Sequence, residues 1–277
     1  MSKPDFAHWR LILSQPAPGA WNMAVDEAIL ESAGRGEVEP TLRLYAWDPP
    51  CLSLGYAQPI DDIDRTYLDQ NGWQIVRRPT GGRAILHTDE LTYAVMGPAS
   101  EPRLAGSVLE SYQRLSEALL TTLHSLGLTA NATAKDDSTP INHNSNPVCF
   151  EAPSHYEITF HGKKLIGSAQ ARRKEGFLQH GSLPLHGDLT RITQTLHYHD
   201  QEVRKSATSR LLERAVTVEG ALNHKISWDN AARAFSEAFE STLNLKLTLQ
   251  KLAGSEKIRA EELVSVKYGN PTWTNRV

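Results

Sequence analysis

The sequence predicts a mixed α/β fold of the α+β kind, in which largely antiparallel or mixed sheets pack against helices. Three observations support this class. Short apolar or alternating runs, typical of strands, fall into two groups along the 277 residues. One long run with apolar residues at helical spacing separates the two groups. In the second group, two alternating runs flank the glycine-containing turn 161–163, which is typical of a β-hairpin.

The first group opens with a short apolar strand over residues 10–15. A helix is predicted from Trp21, because apolar residues recur there at intervals of three and four and so share one helix face. Asp26 and Glu27 lie off that face and are expected to point to solvent or to a nearby loop. Alternation and turn residues predict further strands over 42–45, 51–56, 74–78, 84–87 and 91–96.

A long helix is predicted from Val108 to Leu126, with Gly127 ending it. Residues 129–147 are polar and irregular, and a loop of that length inside a compact domain is usually functional or mobile. The second group then comprises the hairpin 156–170 and a strand over 177–185.

The C-terminal part is predicted to contain a helix over 227–243 with Ser227 as its N-cap, a strand over 245–249 and a last helix near Ser255. We therefore expect a mixed α/β domain over residues 8–222 and a small, mainly helical C-terminal extension over residues 223–277.

Composition excludes several classes of protein. With 29 basic and 32 acidic residues and a net charge of -3, the chain lacks the basic excess of a generic nucleic-acid or membrane-surface binder. Two cysteines, Cys51 and Cys149, cannot build a disulfide framework or a four-cysteine zinc site, and no metal site is expected. Because no apolar run approaches ~20 residues and no secretory signal is present, a cytoplasmic protein with reduced thiols is expected.

The segment from Arg77 to His87 is the first that suggests chemistry. Two arginines end a strand and the turn Pro79-Thr80-Gly81-Gly82 follows. Glycines let backbone N–H groups approach a ligand, and arginines bind carboxylates and phosphates, so a phosphate-bearing or acyl-carrier substrate would fit this corner. A glycine hairpin with exposed arginines is an equally good interpretation of the segment alone.

Cys149 and Lys164 are the other candidates. A lone cysteine is most often a buried packing residue, but Cys149 directly follows a long polar loop, where reactive groups tend to lie. Lys164 alternates with Ile166, so both are expected on one strand face, with Gly167 on the other. Such a lysine lines a pocket or protects a sheet edge against aggregation. A general base for Cys149 stays open between His155 and His180.

Three segments together resemble the superfamily of lipoate–protein ligases, octanoyltransferases and biotin–protein ligases. They are Gly19–Ala28, Arg77–His87 and Lys164–Gln170, and the resemblance extends over about residues 8–200. It implies a biotin/lipoate-ligase-like catalytic domain that attaches an acyl group to a carrier lysine. It also implies that Lys164 holds the acyl carbonyl and that the acyl pocket and its rim include Arg77, Arg78, Gly81, Gly82, His87, Gly167, Ser168 and Ala169.

Within this superfamily, Cys149 distinguishes transferase from ligase. It lies fifteen residues before Lys164, an arrangement similar to LipM-type octanoyltransferases, which pass the acyl group through a cysteine thioester. The resemblance implies transfer from octanoyl-acyl carrier protein, through Cys149, to a lysine of an apo lipoyl carrier such as the glycine-cleavage H protein. No cofactor and a monomer are expected. The alternatives are an ATP-dependent lipoate–protein ligase and a non-catalytic carrier-binding scaffold.

Overall fold

The computed structural model describes residues 5–134 and 156–277. Within these ranges the strands are β1 (Ala7–Leu13), β2 (Thr41–Tyr45), β3 (Cys51–Leu54), β4 (Gln74–Arg77), β5 (Ile85–His87), β6 (Glu90–Gly97), β7 (Asn131–Ala134), β8 (Tyr156–Phe160), β9 (Lys163–Arg173), β10 (Gly176–Pro184) and β11 (Leu245–Leu249). The helices are α1 (Gly19–Gly34), α2 (Arg65–Gln70), α3 (Val108–Ser125), α4 (Gln201–Arg214), α5 (Val218–Leu222), α6 (Trp228–Leu243), α7 (Gly254–Leu263) and α8 (Pro271–Thr274). A 3₁₀ helix spans Leu189–Thr195 and a π-helical turn spans Val264–Tyr268.

The strands form a large and a small sheet. The large sheet has the order β11-β1-β2-β6-β10-β9-β8-β7, and the small sheet has the order β4-β3-β5. In the large sheet β1 runs parallel to both β11 and β2, whereas every other neighbouring pair is antiparallel. The predicted fold class, mixed and largely antiparallel sheets with packed helices, is therefore confirmed.

Both faces of the large sheet are buried by helices. On the face that we call the α3 face, α3 and α6 pack on apolar strand residues such as Leu44 and Tyr93. On the opposite face, the α1 face, α1 and α7 pack on residues such as Ala94 and Met96. The small sheet has its own apolar cluster with α4 and the 3₁₀ helix. None of the described helices combines the length and apolarity needed to cross a membrane.

Helix α3 begins as its sequence dictates. Ser107 accepts a hydrogen bond from the backbone N–H of Glu110, whose carboxylate accepts one from the N–H of Ser107, which is a capping box. Ser227 caps α6 as predicted, because its side chain accepts from the N–H of Asn230. These caps place two helices across the strands that carry the candidate site.

Two parts of the chain differ from the prediction. Residues 131–134, assigned to the polar loop, form the edge strand β7, because an alternating polar strand can pair with β8 at a sheet edge without an apolar signal. The helices α2, α4 and α5 were not predicted, because α2 and α5 are only 6 and 5 residues long and α4 has few apolar residues. In α4 only Ala207 and Leu211 are buried, so its sequence resembles a solvated loop.

The C-terminal residues contribute to the same large sheet as the rest of the chain. β11 adds the edge strand next to β1, with Leu245 opposite Ala7. The carboxylate of Glu256 in α7 lies 2.6 Å from the guanidinium of Arg10 in β1, and both side chains are buried. The division into a domain over 8–222 and an extension over 223–277 stays a prediction.

Candidate active site

A β-bulge sets the direction of Lys164. In the β8–β9 ladder Ile158 lies opposite Ile166, but Thr159 lies opposite Lys164, so β9 contains one extra residue. As a result Leu165 and Ile166 are both fully buried in the core on the α3 face. The expectation that Lys164 shares a face with Ile166 is therefore wrong, because strict alternation stops at the bulge.

Lys164 instead lies on the α1 face. Its Nζ is 3.4 Å from Oε1 of Glu157, which alternates with the core residue Ile158 and so points to the opposite side. Lys164 is only 4% exposed, although it carries a charge. Its carbonyl accepts a hydrogen bond of 3.1 Å from the N–H of Val216, just after α4. The result is an enclosed ammonium group held between β8, β9 and the end of α4.

Gly167 and Ala169 lie on the same α1 face as Lys164. Their partners on β10 are Ser182 and His180, and side chains that pair across a ladder point to the same side. The Ser182 hydroxyl reaches the junction with the small sheet, where it lies 3.3 Å from Nδ1 of His87. This row of glycine and alanine beside a buried lysine places no large β9 side chain on the α1 face here.

Ser168 points the other way. Its Oγ lies 2.7 Å from the Tyr93 hydroxyl, and the Tyr93 ring packs on Phe235 of α6, under the α3 face. The structure therefore separates Ser168 from Gly167 and Ala169, with which it was predicted to bind substrate. A contact between Ser168 and substrate stays a prediction, and the geometry gives Ser168 a packing contact with Tyr93.

His87 joins the small sheet to the large one. Its Nδ1 lies 2.7 Å from Oε1 of Glu90, its Nε2 shares a hydrogen bond of 2.7 Å with Ser53, and its ring stacks on Trp47 at 3.9 Å. Burial alone would raise the pKa of Glu90, but the charge of His87 and hydrogen bonds from neighbouring side chains outweigh it, so this pKa lies below its usual value. His87 is thus a fixed polar group beside Ser182, on the side of Gly167.

Arg77 and Arg78, at the start of the 77–83 segment, are buried rather than exposed. The guanidinium of Arg77 donates to the carbonyls of Gly55, Gln58 and Thr274, and the last of these receives two bonds of 2.8 and 2.9 Å. Because those bonds go to backbone carbonyls, Arg77 holds the C-terminal residue Thr274 against the loop that contains Gly55 and Gln58. A direct substrate contact by Arg77 stays a prediction.

Arg78 shapes the glycine turn. Its Nη2 donates to the carbonyls of Gly81 and Arg83 at 2.9 and 2.7 Å, and its Nη1 donates to the carbonyl and hydroxyl of Ser53. Gly82 has φ +94°, a conformation that favours glycine. Gly55 passes so close that a Cβ there would lie 1.9 Å from the Gly82 carbonyl oxygen. The turn at Gly81 and Gly82 is therefore a built loop, fixed by an arginine that the sequence alone left as exposed or ligand-binding.

A buried charge network behind the loop was missed by the sequence prediction. Asp26, expected to point to solvent or to a nearby loop, is fully buried and accepts from Nη1 of Arg43 at 2.7 Å and from the Tyr45 hydroxyl at 2.9 Å. His180 lies 3.5 Å from Asp26 and shares a hydrogen bond of 2.7 Å with Thr80 of the loop. The network thus connects α1, two strands of the large sheet and the turn. In the sequence, the only sign of this network was that Asp26 directly follows Val25, which lies on the apolar face of the predicted helix.

The network fixes two ionisation states. Burial lowers the pKa of His180, although Asp26 opposes this effect, so the imidazole is held in its neutral form. Burial also opposes ionisation of Asp26, but Arg43 and His180 outweigh it and the pKa of Asp26 lies below its usual value. An ionised carboxylate and a neutral imidazole therefore stand behind Thr80.

The two cysteines differ. Cys51 in β3 is fully buried beside Gly19 of α1, and burial raises the pKa of its thiol. Cys51 is therefore a packing residue. Cys149 and His155 lie outside the described residues. Among residues 5–134 and 156–277, no three histidine, cysteine, aspartate or glutamate side chains are grouped as a metal site would require.

Comparison with known proteins identifies a matching family and similar proteins. Residues 18–240 match the family model of the lipoyl protein ligase A/B catalytic domain. The chain is 39% identical to octanoyltransferase LipM of Brevibacillus brevis, over 97% of this chain and 99% of that protein. It is 40% identical to octanoyltransferase LipM of Kyrpidia tusciae, over 97% of this chain and 98% of that protein.

Two solved structures with a similar fold are lipoate protein ligases. A bipartite lipoate protein ligase from Thermoplasma acidophilum superposes with a TM-score of 0.81 and 26% identity, covering 97% of this chain and 96% of that one. Lipoate-protein ligase A bound with ATP superposes with a TM-score of 0.77 and 27% identity, covering 97% and 98%.

Proposed function

We propose that this chain, which belongs to the lipoyl protein ligase A/B catalytic domain family, is an octanoyltransferase. The observation that carries the proposal is its similarity, along almost the full length of both chains, to octanoyltransferases LipM. The proposed reaction moves an octanoyl group from octanoyl-acyl carrier protein to a lysine of a lipoyl-domain protein. The glycine-cleavage H protein is the proposed acceptor.

The octanoyl chain is proposed to lie along the α1 face of β9. Gly167 and Ala169 offer a surface without large side chains, and His87 with Trp47 borders it at the sheet junction. Arg78 and Thr80 support this space indirectly, because they fix the turn and the buried histidine behind it. An eight-carbon chain on this surface would place its carbonyl end toward Lys164.

In the proposed first step the thiolate of Cys149 attacks the carbonyl carbon of the octanoyl thioester. The carbon–sulfur bond to the donor breaks, the donor thiol takes up a proton, and a thioester with Cys149 forms. The Lys164 ammonium stabilises the negative charge that develops on the carbonyl oxygen, and the enclosed position of Lys164 strengthens this effect. A nearby ammonium also favours the thiolate form of a cysteine.

In the second step the neutral amine of the acceptor lysine attacks the enzyme thioester. An amide forms, the carbon–sulfur bond breaks and the Cys149 thiol is regenerated. Both thioesters are already activated acyl groups, so neither step consumes a nucleotide. The similar solved ligases support a second candidate, ATP-dependent ligation of free octanoate or lipoate, which the same assay tests.

The experiment is intact-mass measurement after incubation with octanoyl-acyl carrier protein in the absence of ATP. We expect an octanoyl adduct on the wild type and on Cys51→Ala, and none on Cys149→Ala. Addition of an apo lipoyl domain should then move the octanoyl group to that domain. An adduct that persists in Cys149→Ala would contradict the proposed nucleophile, and lipoyl-domain acylation only from free octanoate with ATP would favour the ligase.

A further inference from the structure

The carboxylate of Glu157 lies beside the ammonium of Lys164 on the α1 face. Oε1 of Glu157 is 3.4 Å from Nζ of Lys164, and the two side chains are 12% and 4% exposed. Glu157 belongs to β8, which lies between β9 and the edge strand β7. The carboxylate is therefore the more accessible member of the pair, in a site that an acceptor lysine must enter from solvent.

The second step of the proposed reaction creates an acid at a defined atom. When the neutral amine of the acceptor attacks the Cys149 thioester, its nitrogen becomes positively charged while the carbonyl oxygen becomes negative. If this nitrogen keeps its extra proton, the amine readily leaves again and no amide forms. A base beside the thioester carbonyl therefore favours the forward reaction.

Glu157 lies within reach of that nitrogen. Lys164 is proposed to hold the carbonyl oxygen, and a hydrogen bond of ordinary length then places the Glu157 carboxylate within about 7 Å of the carbonyl carbon. The attacking nitrogen stands about 3 Å from that carbon, so Glu157 can accept its proton directly or through one water. The contact with Lys164 is also longer than the about 2.7–2.9 Å of a tight charged pair, and it does not by itself use up the acceptor positions of a carboxylate.

The described histidines of the site are held by other side chains. Both ring nitrogens of His87 have side-chain partners at 2.7 Å, and those of His180 have partners at 2.7 and 3.5 Å. His180 also pairs with Ala169 in the ladder between β10 and β9, five residues along the chain from Lys164. These two rings are thus fixed in the sheet junction and behind the loop, whereas Glu157 is in contact with the group that holds the reacting carbonyl.

We propose that Glu157 is the base of the second step. Its carboxylate accepts the proton of the acceptor nitrogen in the tetrahedral intermediate, the carbon–sulfur bond breaks and the Cys149 thiolate leaves. The proton then passes from Glu157 to that thiolate, which leaves the amide, the Cys149 thiol and the Glu157 carboxylate. This inference rests on the proposed function, because it concerns the second step of that reaction. The first step starts from a thiolate and involves no amine, so it should not depend on this base.

The test compares three rates in Glu157→Gln, which keeps an oxygen beside Lys164 but cannot act as a base. Formation of the octanoyl-enzyme from octanoyl-pantetheine should stay within about threefold of wild type. Its cleavage by hydroxylamine should do so too, because hydroxylamine is a weakly basic amine whose adduct gives its proton readily to water. Single-turnover transfer from the octanoyl-enzyme to a saturating apo lipoyl domain should slow about a hundredfold or more.

Two further variants complete the comparison. Glu157→Asp retains a carboxylate and should keep more of the transfer rate than Glu157→Gln. Glu213→Gln removes an equal charge at the exposed end of α4 and should match the wild type in all three reactions. If Glu157→Gln does not fold, Glu157→Asp decides, since its shorter side chain should slow transfer but not formation of the octanoyl-enzyme.

The pattern of the three rates separates the hypotheses. Transfer at the wild-type rate in Glu157→Gln would overturn the inference, as would an equal loss in Glu213→Gln. Equal slowing of all three reactions would also overturn it, because that pattern belongs to a residue that positions Lys164, and Lys164→Met should show it. If the wild type forms no octanoyl-enzyme, the proposed function itself fails, a result distinct from normal acylation with unimpaired transfer.

Discussion

Oδ1 of Asp26 accepts a hydrogen bond of 2.7 Å from Nη1 of Arg43, and neither side chain reaches solvent. Seventeen residues separate the two along the chain, and the pair fixes α1 to β2 directly behind the loop that contains Thr80. Removal of one partner leaves the other as a buried, uncompensated charge, which strongly lowers the free energy of unfolding. The pair is therefore a point at which stability and the shape of the candidate site are coupled.

We predict that Arg43→Met lowers the free energy of unfolding by about 3–5 kcal/mol, because the Asp26 carboxylate loses its main partner. Urea titration followed by far-UV circular dichroism measures this change. Arg35→Met is the control, since its pair with Glu37 is exposed, and exposed pairs contribute about 0–1 kcal/mol. Equal losses in the two variants would contradict the assigned role of the buried pair.

Stability should fall in acid in two stages. The native pKa of His180 lies below its ordinary value of 6.5, so the unfolded chain binds a proton first. The contribution of neutral His180 is thus complete above pH 6.5 and is lost as the pH falls toward its native pKa. The native pKa of Asp26 is also lowered, so its contribution is present above about pH 3.8 and is lost as the pH falls further.

The free energy of unfolding of His180→Gln, measured at several values between pH 5 and 7, should show a shallower slope than that of the wild type. The slope for His224→Gln, at an exposed position, should be unchanged. If the wild type and His180→Gln lose stability in parallel over this pH range, His180 does not account for the pH dependence of the free energy of unfolding.

Alanine substitutions at Gly81 and Gly82 make a matched pair of variants. Gly82 has φ +94° and a Cβ there would contact the guanidinium of Arg78 at 2.9 Å, whereas a Cβ at Gly81 meets open space. We expect Gly82→Ala to lower the free energy of unfolding by about 1 kcal/mol or more. Gly81→Ala should leave stability unchanged but lower kcat/KM for the octanoyl donor if substrate approaches this backbone. Thermal unfolding and steady-state kinetics of both variants provide the measurement.

Hydrogen bonds in both directions join the C-terminal helix α8 to the 77–83 segment. Nε1 of Trp273 donates to the carbonyl of Arg77 at 2.8 Å, and the Arg77 guanidinium donates to the carbonyl of Thr274. Trp273→Phe should cost about 1 kcal/mol of stability, since the carbonyl loses its donor. In Trp228, the indole N–H is buried without a hydrogen-bond partner among the described residues, so Trp228→Phe is the control and should cost less. Chemical denaturation of both variants compares these values, and a larger loss in the control would contradict the prediction.

Lys164→Met should slow formation of the octanoyl-enzyme by about 10²–10³, the range seen when a donor to a developing oxyanion is removed. Lys163→Met is the neighbouring control, because the Lys163 amine is occupied by the carbonyl of Leu212. Time-resolved intact mass with octanoyl-pantetheine measures the rate without any carrier. Similar rates in the two variants would exclude a special role for Lys164 in the first step.

The sequence predicts most strands and the long helices, because their periodicity is local. The strand that carries Lys164, Gly167 and Ala169 was recognised from its alternation, and the observed β9 includes it. The bulge within β9 could not be predicted, since it depends on the register with β8 and not on the residues of β9 alone. The same limit applies to the direction in which Lys164 points.

The buried charges were missed for a related reason. A carboxylate such as Asp26 is normally exposed unless it is paired, and its partner Arg43 comes from a strand that the helix pattern cannot identify. Arg77 and Arg78 were recognised as special residues. That their guanidinium groups bind backbone carbonyls follows only from the positions of Thr274 and Gly81, which tertiary contacts determine.

The extra residue in β9 also decides which of two adjacent lysines is enclosed. If the pairing with β8 were regular, alternation back from Gly167 would bring Lys163 to the α1 face and would turn Lys164 into the apolar core. With the bulge, the Lys164 ammonium is enclosed beside Glu157, and Lys163 remains at the rim next to α4. Deletion of the single residue Leu165 would therefore make the ladder regular and leave Lys164 opposite Thr159 on the α1 face. An alignment displaced by one position here would name the wrong lysine.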